Sequence, residues 1–439
     1  MAHQHTDKIE LKNELKQIVS QKGKLSRKIG ELKKNGQTID HVLIEMKAVS
    51  LKIKSLENQL KLLNQTNNSN PQKPKPPEKF PSHISVPTCR TQSKSSHHYG
   101  VKVISNDMKM AWDEYVKNHP ASNIYHLFDF KLIIEESFHH QAYYLAALDD
   151  AETIVGVLPI IHTKSQIFGS YMTSIPYFNY GGLLSDNLSV EQMLIKFAEN
   201  LFHKQGASHL ELRENSPREH MPSKTDKVSL FLALPESSER LWSEIGTKVR
   251  AQIKKGQMNN FVFKIGKSEL LDDFYSVFST NMRDLGTPVY SKGFFAHMLS
   301  SQLDSTLVLQ YHKGQPVSCA FLLAYNGCLE IPWASTLRSA NVLNANMVLY
   351  WNILAYACDQ GYCHFDFGRS SKDATTFKFK RQWGAVPSQL HWHYVLAEGE
   401  TLPNLNPSNP KLKLLIACWK RLPLFISNIL GPLLARSLP

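Results

Sequence analysis

Long apolar runs are absent from this 439-residue sequence, and no uninterrupted stretch approaches the roughly 20 residues that a helix needs to cross a bilayer. The first residues, MAHQHTDKIELKNELK, also lack the apolar core of a secretory signal. The six cysteines show no C-x-x-C pairing, which argues against a zinc ribbon or a disulfide framework and favours a reducing compartment. We therefore expect a cytoplasmic protein, either fully soluble or peripheral to the inner membrane.

Acidic residues are scarce in the first 100 positions, where 18 Lys and Arg accompany only 8 Asp and Glu. This region carries +10 of the net charge of +12, so the rest of the chain is nearly neutral. Basic segments attract polyanions over long distances. An acidic partner such as RNA or an anionic membrane surface is therefore expected to bind the N-terminal region.

Two segments near the N-terminus repeat apolar residues at the 4-3 spacing of a coiled coil. The sequence KNGQTID between them supplies a glycine and an aspartate for a reversal, so we predict two antiparallel helices of about 25 residues, each roughly 40 Å long. We interpret residues 1–64 as a helical coiled-coil hairpin and residues 65–100, rich in Pro, Asn, Ser and Lys, as a disordered linker. The heptad positions are Leu11, Leu15, Ile18, Leu25, Ile29, Leu32, Val42, Met46, Val49, Ile53, Leu56, Leu60 and Leu63.

Beyond residue 100, helical and strand patterns alternate, which is typical of an α/β (α+β) fold. Two stretches 155 residues apart, QGASHLELRE and QGYCHFDFGR, share Q-G-x-x-H followed by apolar, acidic and apolar residues. The agreeing order of elements around them predicts an internal duplication, with domains at 101–235 and 236–400. The predicted strands lie at 101–104, 142–149, 153–161, 208–213, 261–265, 306–312, 316–325, 328–335, 363–368 and 389–396.

Residues 401–439 form a separate extension that mixes Leu, Ile, Trp and Phe with five cations, Lys411, Lys413, Lys420, Arg421 and Arg436. The pattern predicts two short helices broken at Pro423. They either lie on an anionic bilayer through residues 411–436 or pack against the body as a final core layer. The breadth of the apolar face favours packing against the body.

Several stretches of the body resemble the FemAB-like proteins, in particular the subgroup associated with PEP-CTERM/exosortase exopolysaccharide systems. They are YFNYGGLLSD, TKVRAQIKK, DDFYSVFSTNMRDLGTPVYSKGFF, LEIPWAST, FDFGRSS and FKFKRQWGA, in this order. The resemblance implies tandem domains with the fold of GCN5-related acyltransferases, preceded here by the hairpin. It also implies transfer of an acyl or aminoacyl group to an amine in cell-envelope or exopolysaccharide synthesis.

The predicted hairpin is similar to the coiled-coil arm of seryl-tRNA synthetases, which implies contact of residues 8–63 with tRNA. The alternative is self-association as a coiled-coil dimer. The FemAB-like resemblance implies a nucleotide- or lipid-linked sugar as acceptor and either aminoacyl-tRNA or acyl-CoA as donor. The usual glycine-rich turn for the coenzyme A pyrophosphate is replaced by LRSANVLNANMVLYW, which argues against ordinary acetyl-CoA use.

The stretch HFDFGRSSKDATTFKFKRQWGA contains the candidate catalytic residues nearest a predicted strand end. Acyl transfer to an amine needs a base for the amine proton and positive groups near the developing oxyanion. Glu330 and Asp366 are the candidate bases, unless each has only a structural partner. By resemblance, the Phe379–Lys380 pair matches a motif whose lysine supports the donor end or the reacting centre. The alternative is a solvated lysine on an amphipathic helix.

Further cations and aromatics form the candidate substrate-binding set: Arg369, Lys378, Phe379, Arg381, Tyr290, Arg250 and Lys254. Arginine forks suit phosphate or carboxylate, although Arg369 would lose that role in an internal ion pair with Asp366 or Asp373. The run containing Arg250 and Lys254 matches, by resemblance, a segment near the phosphates of a nucleotide-linked acceptor, and a solvated helix face is its alternative. His391 and His393 share a strand face without a third ligand, so we expect no metal.

The sequence thus predicts an acyl or aminoacyl transferase. One alternative is a non-catalytic tRNA-binding or scaffold protein with a degenerate acyltransferase body. The other is an acetyl-CoA-dependent N-acetyltransferase.

Overall fold

The computed structural model describes residues 99–403 except residue 167, residues 410–438, and separate residues between 17 and 56. The chain divides into two compact units, Met1–Lys79 and Phe80–Pro439. In the first unit the described residues are helical, and the side chains buried together are Ile18, Leu25, Val42, Val49 and Leu56, all at expected heptad positions. The turn of the hairpin and most of the expected linker lie outside the described residues, so the hairpin stays a prediction.

The second unit is a mixed α/β structure. Its strands are β1 (Gly100–Val103), β2 (Gln141–Leu148), β3 (Ile154–Ser165), β4 (Gly169–Thr173), β5 (Leu184–Ser185), β6 (His209–Glu214), β7 (Ser223–Lys224), β8 (Lys227–Ala233), β9 (Val262–Gly266), β10 (Asp304–His312), β11 (Gln315–Tyr325), β12 (Cys328–Thr336), β13 (His364–Ser371), β14 (Val386–Gln389) and β15 (His391–Leu396). Its helices are α1 (Lys109–Asn118), α2 (Asp129–Phe138), α3 (Leu188–Gln205), α4 (Ser238–Glu244), α5 (Thr247–Gln257), α6 (Leu271–Leu285), α7 (Lys292–Ser300), α8 (Ala345–Asp359), α9 (Thr375–Arg381), α10 (Pro410–Trp419) and α11 (Leu424–Ala435).

These strands form two sheets that repeat one topology. The first has the order β1-β2-β3-β4-β6-β15-β7, with β5 beside β3, and the second has the order β14-β8-β13-β12-β11-β10-β9. In each sheet an antiparallel meander ends in a parallel pair, β4 with β6 and β12 with β13. The helix before the last strand of each pair ends in the repeated Q-G dipeptide, and Gly206 and Gly361 have φ values of 61° and 80°. Glycine adopts this left-handed conformation without steric cost, which explains its presence in both copies.

The two halves of the repeat exchange a strand. β8 follows the first sheet in the chain but pairs with β13 of the second, whereas β15 follows the second sheet but pairs with β6 of the first. Neither of the segments 101–235 and 236–400 therefore contains a complete sheet. The sequence predictions omit β4, β5, β7, β8 and β14, and they group β15 with the strands of the second domain.

Aromatic side chains from both halves also pack into one core. The ring of Phe178, from the first half, lies 6.3 Å from Phe294 and 5.8 Å from Trp333 of the second, and 4.6 Å from Tyr125 of its own half. Such contacts and the exchanged strands join the halves through a shared apolar interior, which fixes the geometry of any site between them.

The C-terminal extension forms the two predicted helices, α10 and α11, separated at Pro423. The packing of α11 differs from the favoured expectation of a final core layer: it buries Ser427, Gly431 and Ala435, while Phe425 and Ile429 are exposed. Across the part of the chain that the structure describes, no helix has the length and apolarity required to span a membrane.

Because each sheet includes a strand from the other half, we expect the two sheets to unfold together. Leu230 of β8 is fully buried in the core of the second half. Leu230→Ala should lower the free energy of unfolding by about 2–5 kcal/mol and shift one calorimetric transition as a whole. Val342→Ala, at an exposed position, should change the free energy of unfolding by less than about 0.5 kcal/mol. Two separate transitions in the calorimetric scan would contradict the coupling.

Candidate functional site

A pair of buried carboxylates marks the point at which β12 and β13 separate. The two parallel strands pair only from Cys328↔His364 to Glu330↔Asp366, and each then continues beside its other neighbour. Glu330 is 5% exposed and Asp366 is fully buried. Two acidic side chains therefore face each other in register inside the protein, where an unshared negative charge is costly.

Asp366 has the stronger set of donors. Its Oδ1 accepts hydrogen bonds from Ser229 Oγ at 2.8 Å and from the Gly368 amide at 2.7 Å, and its other oxygen accepts one from Tyr180. Burial raises the pKa of Asp366, and these three donors oppose that rise because they stabilise the ionised form. Ser229 lies on the exchanged strand β8, so the exchange itself supplies one of the donors.

Glu330 has fewer donors, and none in the described part of the chain reaches its second oxygen, Oε2. Both of its hydrogen bonds, from Tyr125 Oη at 2.6 Å and from Asn179 Nδ2 at 2.9 Å, reach Oε1. Burial and then the charge of Asp366 raise the pKa of Glu330 well above its usual range. When the two carboxyls share a proton, the proton is therefore more stable on Glu330 than on Asp366.

Lys380 lies beside this pair but does not point into open space. Its side chain is buried, and Nζ donates to the carbonyl oxygens of Gly368 and Arg369, each at 2.9 Å. Burial lowers the pKa of Lys380 to about 8, and the nearby Asp366 opposes this shift. The alternative of a solvated lysine does not describe this geometry, because the ammonium group holds the backbone of β13 at the strand separation.

The loop YFNYGG, residues 177–182, brings the first half to this point. Asn179 bonds Glu330, and Tyr180 bonds Asp366. Gly368 has a φ of 71°, and a Cβ there would lie 3.3 Å from Asn179 Nδ2, closer than most side chains tolerate. Glycine at position 368 therefore permits the left-handed backbone conformation and also leaves room for the YFNYGG loop to approach β13.

A cavity of about 170 Å³, which we name the carboxylate cavity, opens beside Glu330 between the two halves. The other acid in its wall is Glu214, which is paired with Arg218. Its lining comprises residues 121–124, His126, residues 180–184, residues 213–216, Phe231, Leu323, Tyr325, Asn326, Cys328, Glu330 and His364. An amine or ammonium group suits this cavity, because Glu330 can accept a proton or a hydrogen bond through Oε2.

A second cavity, of about 150 Å³, is the arginine cavity. It is lined by Tyr177, Arg213, Met282, Thr287, Pro288, Tyr290, Arg369, Ala435 and Leu438. The guanidinium carbons of Arg213 and Arg369 lie 4.5 and 4.9 Å from the ring centroid of Trp392, a residue of the exchanged strand β15. Arg213 lines both cavities, so the two are neighbours.

The two arginines differ in their partners. Arg213 Nε donates to Glu211 at 2.7 Å and Nη1 donates to the Phe178 carbonyl at 2.9 Å. No ion pair of Arg369 with an acid, including Asp366 and Asp373, occurs among the described residues. Burial and the like charge of Arg213 lower the pKa of Arg369 to about 10, so it remains charged at neutral pH without a bonded counter-ion.

Several expected site residues lie elsewhere. Lys378 and Arg381 are exposed on α9, on the side away from buried Lys380. Phe379 packs 6.3 Å from Trp383, as the helical spacing predicts, and braces α9. The structure brings Glu330, Asp366, Lys380, Arg369 and Tyr290 to the two cavities or to the strand separation between them.

The basic run on α5 is also distant from this group. Arg250 Nη1 donates to the carbonyls of Trp242 and Ser243 at 3.0 and 3.1 Å, at the end of α4. Lys254 is exposed, with Nζ 6.0 Å from the Trp242 ring centroid. Neither residue lines the carboxylate cavity or the arginine cavity.

Sequence reasoning missed Tyr125, Tyr180, Ser229, Arg213 and Trp392, because all five reach the site from the first half or through an exchanged strand. The repeat could have indicated Arg213, since it lies two residues after Glu211, and Glu211 corresponds to Asp366 at the offset of 155. No group of three or more potential metal-binding side chains occurs in the described part of the chain.

The segment leading into α8, LRSANVLNANMVLYW in the sequence, begins with the 3-10 helix Arg338–Leu343. This glycine-free helix ends at Asn344, whose amide donates to the Asn341 carbonyl at 3.1 Å. The Met347 amide donates to Asn344 at 3.0 Å. These internal hydrogen bonds occupy amides that would otherwise be available to a phosphate group.

The lowered pKa of Lys380 predicts a pH dependence of stability. Between about pH 8, its folded value, and 10.5, its ordinary value, the unfolded chain binds more protons at this lysine than the folded chain does. The wild-type protein should therefore gain on the order of 2 kcal/mol in free energy of unfolding, relative to Lys380→Met, as the pH rises from 8 to 10. Denaturant titrations of both proteins measure this difference. A constant difference across that range would show that Lys380 has an ordinary pKa.

Comparisons with known proteins agree with this architecture. Residues 246–381 match the family model for the acetyltransferase (GNAT) domain. No curated protein matches the chain. Among solved structures, FemX is 12% identical, with a TM-score of 0.50, over 67% of this chain and 96% of its own. The fold is thus similar to that of FemX, as the FemAB-like resemblance predicts, whereas the exopolysaccharide subgroup and the synthetase-like arm stay predictions.

Two further structures match less well. L-PGS from Bacillus licheniformis is 13% identical, with a TM-score of 0.45, over 73% of this chain and 99% of its own. A tandem GNAT protein from the clavulanic acid biosynthesis pathway is 10% identical, with a TM-score of 0.44, over 70% of this chain and 100% of its own. Glu330, Asp366, Arg369 and Lys380 all lie within residues 246–381, the part of the chain that matches the model of the acetyltransferase (GNAT) domain.

Proposed function

We propose that this protein transfers an acyl or aminoacyl group to an amine on an anionic acceptor. The observation that carries the proposal is Glu330: a buried carboxyl with a raised pKa, held through one oxygen, in the wall of a cavity. A carboxyl poised in this way can accept the proton that an amine loses as it attacks an acyl carbon.

In the proposed step, the acceptor nitrogen forms a bond with the acyl carbon while the bond from that carbon to the donor's oxygen or sulfur breaks. The nitrogen proton goes to Oε2 of Glu330 and then to the leaving group or to water. The products are an amide and the free alcohol or thiol of the donor. Tyr125 and Asn179 act as positioning residues because they hold Oε1 and leave Oε2 free.

Asp366 and Lys380 have supporting roles. Burial, and after it the charge of Asp366, raises the pKa of Glu330. Lys380 lines neither cavity, and its bonds to two carbonyls hold β13 apart from β12. We therefore assign Lys380 a positioning role in place of the direct contact with the donor that the sequence suggests.

The arginine cavity favours an acceptor that carries a phosphate or carboxylate close to its amine. Arg369 is charged and has no bonded acid among the described residues, and Arg213 connects this cavity to the carboxylate cavity. Guanidinium groups bind such anions bidentately. A nucleotide- or lipid-linked amino sugar has both features, which supports the acceptor class implied by the FemAB-like resemblance.

The donor is proposed to be an ester such as aminoacyl-tRNA. The support is the glycine-free segment before α8, where the amides of Ala340, Asn344 and Met347 already bond to neighbouring carbonyls. The test supplies the full chain with an amine-bearing UDP-sugar and, in parallel, with tRNA charged with labelled amino acids or with labelled acetyl-CoA. Label in the sugar from charged tRNA supports the proposal, and label from acetyl-CoA alone supports the N-acetyltransferase alternative.

A lipid-linked amino sugar in detergent replaces the UDP-sugar in a second series. Absence of label in every combination, together with salt-sensitive binding of uncharged tRNA, would favour the non-catalytic alternative.

Removing the proposed base should abolish most turnover. Glu330→Gln keeps an oxygen for Tyr125 and Asn179 but cannot accept the proton, so kcat should fall by about 100-fold or more. The control is Glu398→Gln, at an exposed position, which should retain parental kcat. Full activity of Glu330→Gln, with an unchanged melting temperature, would eliminate Glu330 as the base.

The hydrogen bond from Tyr125 to Glu330 predicts a shift in the pH dependence of kcat/KM when Tyr125 is replaced. This bond stabilises ionised Glu330, so its loss in Tyr125→Phe should raise the pKa of Glu330 further. Because the base works when deprotonated, the rise of kcat/KM with pH should move to higher pH in the variant. If kcat/KM is lower at every pH but rises over the same pH range as in the parent, Tyr125 has only a structural role.

The proposed anion contact predicts a change in acceptor binding. Arg369→Lys keeps the charge but loses the planar fork, so KM for the anionic acceptor should rise by roughly 10-fold or more. Lys378→Gln removes an exposed cation from the same region and should leave KM unchanged. Equal KM values for all three proteins would place the anionic group elsewhere.

A further inference from the structure

Helix α11 presents its large apolar side chains to solvent. Phe425, Ile429 and Leu433, spaced four residues apart, are 67%, 64% and 54% exposed. The small residues Ser427 and Gly431 on the opposite side are buried. A helix at the surface of a soluble domain ordinarily buries its large apolar residues, so this orientation leaves an apolar face without a partner in the described structure.

The packing of Gly431 shows that this orientation is built into the fold. A Cβ on Gly431 would lie 2.8 Å from Cγ1 of Val289 and 3.0 Å from the Val289 amide nitrogen. Only a residue without a side chain permits this approach, so rotating α11 to bury Phe425 or Ile429 would bring a larger residue to the same contact. Helix α10 exposes Leu414 and Leu415 as well.

The charge of this extension is of one sign. Residues 401–439 contain five Lys and Arg and no Asp or Glu. Lys420 and Arg421 precede α11, Arg436 follows it, and all three are exposed. An apolar helical face flanked by cations is the pattern of a helix that lies in the interface of an anionic bilayer.

We propose that α10 and α11 dock the protein on an anionic lipid surface, with Phe425, Ile429 and Leu433 among the acyl chains and the flanking cations at the headgroups. α11 has 12 residues. Its length of about 18 Å is well below the ~30 Å hydrocarbon core, so it lies along the surface and does not cross it. The docking is independent of the proposed reaction.

A second copy of the chain is a less suitable occupant of this face. A symmetric pair would bring Lys420, Arg421 and Arg436 of one copy near those of the other, and the extension supplies no acid to offset them. Anionic headgroups neutralise the same cations, which is why the charge favours a bilayer.

The proposed surface is continuous with the arginine cavity. Ala435 and Leu438 line that cavity, and the Arg436 carbonyl accepts a hydrogen bond from Tyr177 Oη at 2.9 Å. A docked α11 would therefore bring the cavity close to the headgroups. If the proposed function holds, this position favours a lipid-linked acceptor.

The test measures flotation of the full chain with vesicles of phosphatidylcholine, with and without phosphatidylglycerol. The wild-type protein should float with the anionic vesicles, and the double variant F425S/I429S should bind them at least about tenfold more weakly. A second variant, K420Q/R421Q, should bind the anionic vesicles more weakly than the parent, and its binding should depend less on salt. All altered positions are exposed, so melting temperatures should match the parent.

Matched controls separate this surface from other exposed apolar and basic side chains of the body. M258S/V342S removes two exposed apolar side chains elsewhere, and K117Q/K204Q removes two exposed cations. Both should bind as the parent does. Equal binding by F425S/I429S and the parent, or no flotation of the parent, would overturn the proposal. So would a wild-type dimer in lipid-free sedimentation that F425S/I429S converts to a monomer.

Discussion

The organisation of the site depends on two carboxyl groups that face each other across a parallel strand pair inside the protein. Glu330 and Asp366 are partners in register, and both are shielded from water. Such a pair is stable only if donors and a nearby cation compensate for the charge. Tyr180, Ser229 and the Gly368 amide satisfy Asp366, and Lys380 supplies the cation, so the remaining imbalance falls on Glu330.

This constraint explains why the two halves are intertwined. Each carboxyl takes a donor from the YFNYGG loop of the first half, and Asp366 takes another from β8, which originates in the first half. The reverse exchange places Trp392 of β15 over Arg369 of the second sheet. The strand exchange therefore maintains the fold and also gives two charged groups their partners, Ser229 of β8 for Asp366 and Trp392 of β15 for Arg369.

The repeat shows how one module can carry different chemistry in its two copies. Glu211 occupies in β6 the place of Asp366 in β13, and it is likewise buried. It is satisfied by Arg213 and Tyr394, and this pairing lowers its pKa. The first copy thus has a neutralised acid, whereas the second has an acid pair with an incomplete set of donors. The difference favours the second copy as the site of proton transfer.

Much of the local structure follows from the sequence. Alternation of polar and apolar residues located most strands, the Q-G repeat identified two equivalent helix ends, and the density of charge after Phe367 indicated Arg369 and Lys380. Such signals depend on neighbours along the chain, and backbone geometry converts them directly into faces and ends. They also predicted the aromatic brace of Phe379 on Trp383.

The tertiary structure alone decided which charged groups meet. The short strand β8 pairs with a sheet from the other half, so Ser229, a donor to Asp366, lies 137 residues away from it along the chain. Trp392, the ring beside Arg369, lies on the exchanged strand β15. No local sequence signal indicates either partner. Tyr125 reaches Glu330 across 205 residues. Whether a lysine is solvated, like Lys378, or buried, like Lys380, depends on where the helix docks. Burial and long-range pairing set the pKa values of these groups, and neither can be deduced from the spacing of residues along the chain.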